Sequence, residues 1–154
     1  MGGSEYDESD CTFTLEELTA SDTARRRGID NTPSAAVTAN LRRTAEALER
    51  VRDVLGGRPV IITSGYRAAA LNRAVGGVPT SAHLSGLAAD FVCPKFGAPL
   101  DICRAISASP IEFDQLIQEG TWVHIGLAPI GTKPRRQVLT ASFGATSTTY
   151  SEGL

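Results

Sequence analysis

The strongest constraint in this sequence is a change of periodicity at Gly56-Gly57. Before the pair, Leu41, Ala45, Leu48, Val51 and Leu55 recur at helical spacing, with Arg42, Arg43, Glu46, Arg50 and Asp53 on the other faces. Glu46 and Arg50 form a favourable i,i+4 pair, and the two glycines end the helix. Directly after them, Val60-Ile61-Ile62-Thr63 is short and β-branched, which predicts a strand. A chain that is helical on one side of such a break and mixed on the other points to α+β architecture, in which helices are segregated onto a sheet.

The remaining pattern fills in that frame. Thr14-Leu15-Glu16-Glu17 has the form of a capping box and predicts a short helix carrying Leu15 and Leu18. A polar, basic passage runs from Ser21 to Asn31 and is closed by Pro33. Downstream, one or two helical turns are expected over Ala68–Val75, stopped by Gly76-Gly77, then a strand over Ala88–Val92 and a short helix over Leu100–Ser107 after Pro99. Phe113–Gln118 and Thr121–Leu127 read as two further strands separated by Glu119-Gly120, and the Ser/Thr-rich Thr140–Tyr150 as an edge strand or a tail. The expected organisation is a charged, disordered leader over 1–10 and a single domain over 11–154, helical to about 57 and bearing its site after that. Its sheet is expected to be small, antiparallel or mixed, with helices packed on one face.

Composition excludes several classes of function. A chain of 154 residues is long enough to bury roughly 68–70% of its unfolded surface around one core. Fifteen Lys+Arg against 17 Asp+Glu give a formal charge of -2, so no basic field holds nucleic acid or anionic lipid. Apolar stretches such as Val60-Ile61-Ile62 fall far short of the ~20 residues that span a bilayer, so no membrane partner is expected. The acidic N-terminus lacks the apolar stretch of a secretory signal. Cys11, Cys93 and Cys103 form no C-x-x-C pair and are too few for a disulfide scaffold, and Cys93 and Cys103 read as small buried hydrophobes.

The candidate chemistry gathers around the two histidines. His83 precedes Asp90 by seven positions in a Gly/Ala-rich stretch, and His124 lies beside the sole tryptophan, Trp122. Alternation along a strand puts Asp90 opposite to Ala89 and Phe91, and His124, with Trp122, opposite to Val123, Ile125 and Leu127. Asp90 and His124 are thus presented away from the core, while Cys93 shares the core parity of Phe91. A lone histidine is more often a surface or hydrogen-bonded core residue than a ligand. Two neutral imidazoles and a carboxylate nevertheless make a suitable three-ligand set for a catalytic zinc ion with a fourth position open to water. Hydrolysis also needs a proton carrier that is not a ligand. Glu119, at the bend before His124, is the nearest carboxylate, with Asp114 and Glu112 as alternatives. Arg67, just after the first strand and Gly65, offers a guanidinium for a substrate carboxylate or a tetrahedral oxyanion.

In order along the chain stand Ser64-Gly65-Tyr66-Arg67, Leu71-Asn72, Gly76-Gly77, Ser81-Ala82-His83, Gly86-Leu87-Ala88-Ala89-Asp90 and Trp122-Val123-His124-Ile125. This series, set in the segment from about Phe13 to His124, resembles the zinc D-Ala-D-Ala carboxypeptidase and phage endolysin peptidases, which share their fold with the Hedgehog signalling domain. The short phage-type members are the most similar in appearance. The resemblance implies one zinc ion held by His83, Asp90 and His124, a substrate-contacting Arg67, and Ser81 lining the site, with Trp122 beside the substrate. Several family members carry an acidic residue three positions before the last histidine; here that position is Thr121, and Glu119 stands two residues further upstream. The implied activity is hydrolysis of an amide next to a D-amino acid in peptidoglycan peptides, as a carboxypeptidase or an endopeptidase. The alternative is a non-catalytic cell-wall-binding or phage structural module that keeps the fold. A monomer is expected, made in the cytoplasm and acting on the cell wall after release or within a phage particle.

Overall fold

The computed structural model describes residues 13–154. The expected leader over 1–10, and Cys11, lie outside the described residues. The capping box forms as the sequence predicts. Thr14 accepts from the Glu17 amide, the Glu17 carboxylate accepts from the Thr14 amide, and α1 runs Leu15–Thr19. The basic passage is not simply a loop: Ser21 caps a second short helix, α2 (Asp22–Arg27), whose three terminal arginines sit at the negative end of its dipole. The long helix α3 spans Ala35–Val54 and starts at Ser34, about two turns earlier than its apolar stripe suggests. Its first turns carry Ala, Val and Thr and pack little apolar surface, so the cap rather than the stripe sets the start.

Four strands then carry the centre of the molecule: β1 (Ile61–Ser64), β2 (Ala88–Val92), β3 (Gln115–Gln118) and β4 (Val123–Gly126). Between β1 and β2 lie α4 (Ala69–Ala74) and a 3-10 turn over Ala82–Ser85; between β2 and β3 lies α5 (Pro99–Ser107), with Pro99 in its first turn. The Ser/Thr-rich segment is an edge element of the sheet rather than a tail, and it supplies two strands instead of one. It forms a hairpin of β5 (Gln137–Phe143) and β6 (Thr148–Glu152). Together the strands make one six-stranded mixed sheet in the order β1-β2-β4-β3-β5-β6. Among the described residues only the β3–β5 pair is parallel. The α+β architecture expected from the sequence is the one observed.

The core lies between one face of this sheet and the helices α1, α3 and α5. Ala89 and Phe91 of β2, Leu116 of β3, and Val123 and Ile125 of β4 meet Leu18, Leu41, Leu48, Val51, Ile102 and Ile106 there. Cys93 and Cys103 belong to the same cluster and are fully buried, as expected of small hydrophobes. Burial pushes the Cys103 thiol up to about 12, so it stays protonated. No described helix is long and apolar enough to cross a membrane.

Candidate active site

The pairing register places the site on the opposite face of the sheet. Directly opposed residues share a face, and Asp90 of β2 is paired with His124 of β4. Because Ala89, Phe91, Val123 and Ile125 all point into the core, Asp90 and His124 must point out of it together. His83 reaches the same spot from the 3-10 turn. The turn is fixed by the Ser81 hydroxyl, which accepts from the His83 amide at 3.2 Å, and by Gly86, whose φ of 77° closes it. A side chain at Gly86 would also press on Val37 and Leu41 of α3.

These three side chains form the one metal-type cluster among the described residues, with one ligand atom from each lying within 4.8 Å of the others. His124 Nδ1 stands 2.9 Å, and His83 Nε2 3.2 Å, from the same oxygen, Asp90 Oδ1. The two imidazole centroids are 5.2 Å apart. His83 Nδ1 lies 2.6 Å from the Gly65 carbonyl oxygen, which can only accept, so Nδ1 carries a proton and donates it there. Nε2 is therefore the nitrogen turned to the Asp90 carboxylate, able to share a proton with it or to bind a cation in that proton's place. Zinc bonds of 2.0–2.2 Å to nitrogen and oxygen imply tetrahedral ligand–ligand edges of roughly 3.3–3.6 Å, near the 2.9 and 3.2 Å that separate Asp90 Oδ1 from the two imidazole nitrogens. The residues present fit a single small divalent ion. The two histidines beside Asp90 hold its carboxyl well below the usual carboxylate range, overcoming the opposing effect of burial.

The loop after β1 is bound tightly into this arrangement. Gly65 passes so close to the Leu18 carbonyl that a Cβ would overlap it, and the next amide, that of Tyr66, donates to the same carbonyl at 2.7 Å. The Arg67 amide donates to the His83 carbonyl at 3.0 Å. Asn31, in the passage read from sequence as merely polar, clasps the loop: its Nδ2 donates to the carbonyls of Thr19 and Tyr66, and its Oδ1 accepts from the Ala68 amide at 2.7 Å. Asn31 and the Gly65 carbonyl are positioning groups that residue pattern alone does not single out.

Around the cluster stand the other candidates. Continuing the β3–β4 register by one residue sets Glu119 opposite Trp122, and the Glu119 amide donates to the Trp122 carbonyl at 3.0 Å. Glu119 therefore shares the face of His124, whereas Thr121 is exposed in the bend. Burial pushes the Glu119 carboxyl up from its ordinary value, against the pull of His124 and Arg67. Burial lowers the pKa of the Arg67 guanidinium, outweighing the Asp90 and Glu119 carboxylates, and its buried Nε has no partner among the described residues. Trp122 Nε1 is likewise buried and meets no partner at full hydrogen-bond geometry among the described residues, but its N–H lies close enough to Glu119 to pull that carboxyl's pKa down. Asp114 is engaged elsewhere, in a two-pronged pair with Arg135, and Glu112 is exposed on the rim of a different cavity that Arg43 and Arg50 also line.

Fold and site together define an α+β domain that presents a His–Asp–His metal-ligand set, a flanking carboxylate and a half-buried arginine from one face of its sheet. Residues 11–126 match the peptidase M15 family, three quarters of the chain, and the chain belongs to that family of peptidases. No curated protein matches the sequence.

Proposed function

We propose that this protein is a zinc metallopeptidase that hydrolyses an amide next to a D-amino acid in the peptides of bacterial peptidoglycan. One observation carries the reading: His83, Asp90 and His124 converge on a single point of the sheet face opposite the core in a chain of the M15 family. In this reading those three residues hold the metal. When bound there, zinc supplies Lewis acidity to a peptide carbonyl and eases deprotonation of water. Asp90 contributes the negative charge of the ligand set, and the Gly65 carbonyl fixes the tautomer of His83 through Nδ1. Ser81 keeps the turn in register and lines the approach to His83.

Glu119 is the proton carrier. Sharing the face of His124, it takes a proton from the attacking water as the C–O bond forms and then returns it to the leaving amine nitrogen as C–N breaks. Arg67, with an unsatisfied buried Nε, binds the substrate carboxylate or the developing oxyanion, and Trp122 borders the reacting peptide. The protein works as a monomer on the wall peptide, without nucleic acid or membrane, and reaches the wall after synthesis in the cytoplasm, by release or within a phage particle. Thr121, at the position where relatives carry an acid, favours a second reading as a non-catalytic wall-binding module. Mass spectrometry of peptidoglycan fragments after incubation, with and without a chelator, separates the two. New chelator-sensitive amine termini beside D-alanine are expected; unchanged fragments from zinc-loaded protein refute the peptidase.

A further inference from the structure

The matched segment ends at residue 126, and the chain then adds the β5–β6 hairpin to the sheet. The register carries the site face across it. Glu119 continues the parallel β3–β5 pairing to stand beside Ala141, and Ala141 is paired with Tyr150. One row on the site face therefore reads Trp122, Glu119, Ala141, Tyr150. Ala141 is buried beside Ile117 and Leu139, a small apolar floor between the phenol and the carboxylate. Phe143, two residues along, lies against the glycine of the Glu119-Gly120 bend, with its ring centroid 6.2 Å from that of Trp122.

Both added aromatics are open to solvent: Phe143 is 57% exposed and Tyr150 54%. Tyr150 is nonetheless within the field of the site, since burial first, and then the Glu119 and Asp90 carboxylates, raise its pKa. Rigid aromatic side chains in such a place give large apolar contact at low entropic cost. From Trp122 to Tyr150 is three inter-strand steps, about 14 Å, the length of about four extended residues. Arg67 enters from the loop after β1, on the other side of the metal-ligand set. A carboxylate held there directs the opposite end of the substrate towards the hairpin.

We propose that Phe143 and Tyr150 form the wall of the substrate cleft that receives the peptide on the N-terminal side of the scissile bond, an extended run with small apolar side chains. The inference rests on the peptidase reading and adds to it a determinant of substrate length. The test compares acyl-capped peptides of two and of five residues, both ending in D-Ala-D-Ala. In the Phe143→Ala, Tyr150→Ala double variant, the long-over-short ratio of kcat/KM falls about tenfold, through KM of the long peptide. Tyr150→Phe keeps that ratio within about twofold, because the ring and not the hydroxyl makes the contact. In a Glu119→Gln background, fluorescence of the sole tryptophan, Trp122, saturates with the long peptide, and the double variant weakens that binding. A double variant that is folded by thermal unfolding and keeps the wild-type ratio overturns the proposal. A fall seen only when a disaccharide is attached overturns it too, and assigns the wall to the glycan. Should wild-type protein cleave neither peptide, the peptidase reading fails, while the fluorescence titration still decides whether the wall binds peptide.

Discussion

The two faces of the central sheet are built from alternate residues of the same strands and obey opposite rules. On one face Ala89, Phe91, Val123 and Ile125 are almost wholly buried against α3 and α5. On the other, one residue along, Asp90 and His124 meet side chain to side chain with His83, and Glu119 and Trp122 stand beside them. The first face gains stability from burial; the second gathers two imidazoles round one carboxylate and leaves buried N–H groups of Arg67 and Trp122 without partners among the described residues. Each such group costs about 1–3 kcal/mol when left without a partner. The closed face supplies the rigidity that keeps the open face in a geometry it would not choose alone.

That contrast is open to direct attack. The largest effect is expected for Asp90→Ala, which takes peptide hydrolysis to background while thermal unfolding still shows a cooperative fold; activity near wild type breaks the contrast. Glu119→Gln comes next, with kcat down about 10²–10⁴-fold at unchanged zinc content. It carries a second signature. Burial raises the Glu119 pKa in the folded protein, so between the unfolded and folded values the native state binds more protons and stability falls as pH rises. Metal-free Glu119→Gln is therefore at least as stable as metal-free wild type at neutral pH, which chemical denaturation measures.

Phe91→Ala, one residue from Asp90 but on the closed face, costs about 3–5 kcal/mol by denaturant unfolding. A loss below 1 kcal/mol would mean that the core is not where stability resides. Smaller again is the chemistry of the buried thiols. In a Cys11→Ser background, native protein resists a thiol reagent for hours, because Cys93 and Cys103 are fully buried and burial holds the Cys103 thiol up at about 12. Labelling at the rate of a free thiol contradicts this. The smallest effect belongs to Arg135→Ala, under about 1 kcal/mol for a solvent-exposed pair. Arg135 lowers the Asp114 pKa, so the stabilisation is present above the unfolded carboxylate pKa and is lost as pH falls through the folded one.

Much of this was legible in the sequence because alternation is a strict rule. The parity of Asp90 against Phe91, and of His124 against Val123 and Ile125, assigns both faces before any coordinates exist, and Thr14 and Glu17 announce α1. What stayed hidden depends on distance along the chain. The β5–β6 hairpin hides because Ser and Thr suit strands and tails alike, and its place next to β3 is a parallel pairing that local pattern does not encode. Asn31 hides because its three hydrogen bonds go to backbone groups up to 37 residues away. The position of Glu119 is intermediate: spacing sets it two residues from the usual acidic position, but only the β3–β4 register turns it to the face of His124.

The central claim is that the open face grips one divalent ion through His83, Asp90 and His124. Zinc content of purified protein after dialysis, compared between wild type and Asp90→Ala, tests it most directly. The prediction is one zinc per wild-type chain and almost none in the variant. Equal zinc in both, or none in wild type supplied with excess metal, would contradict it.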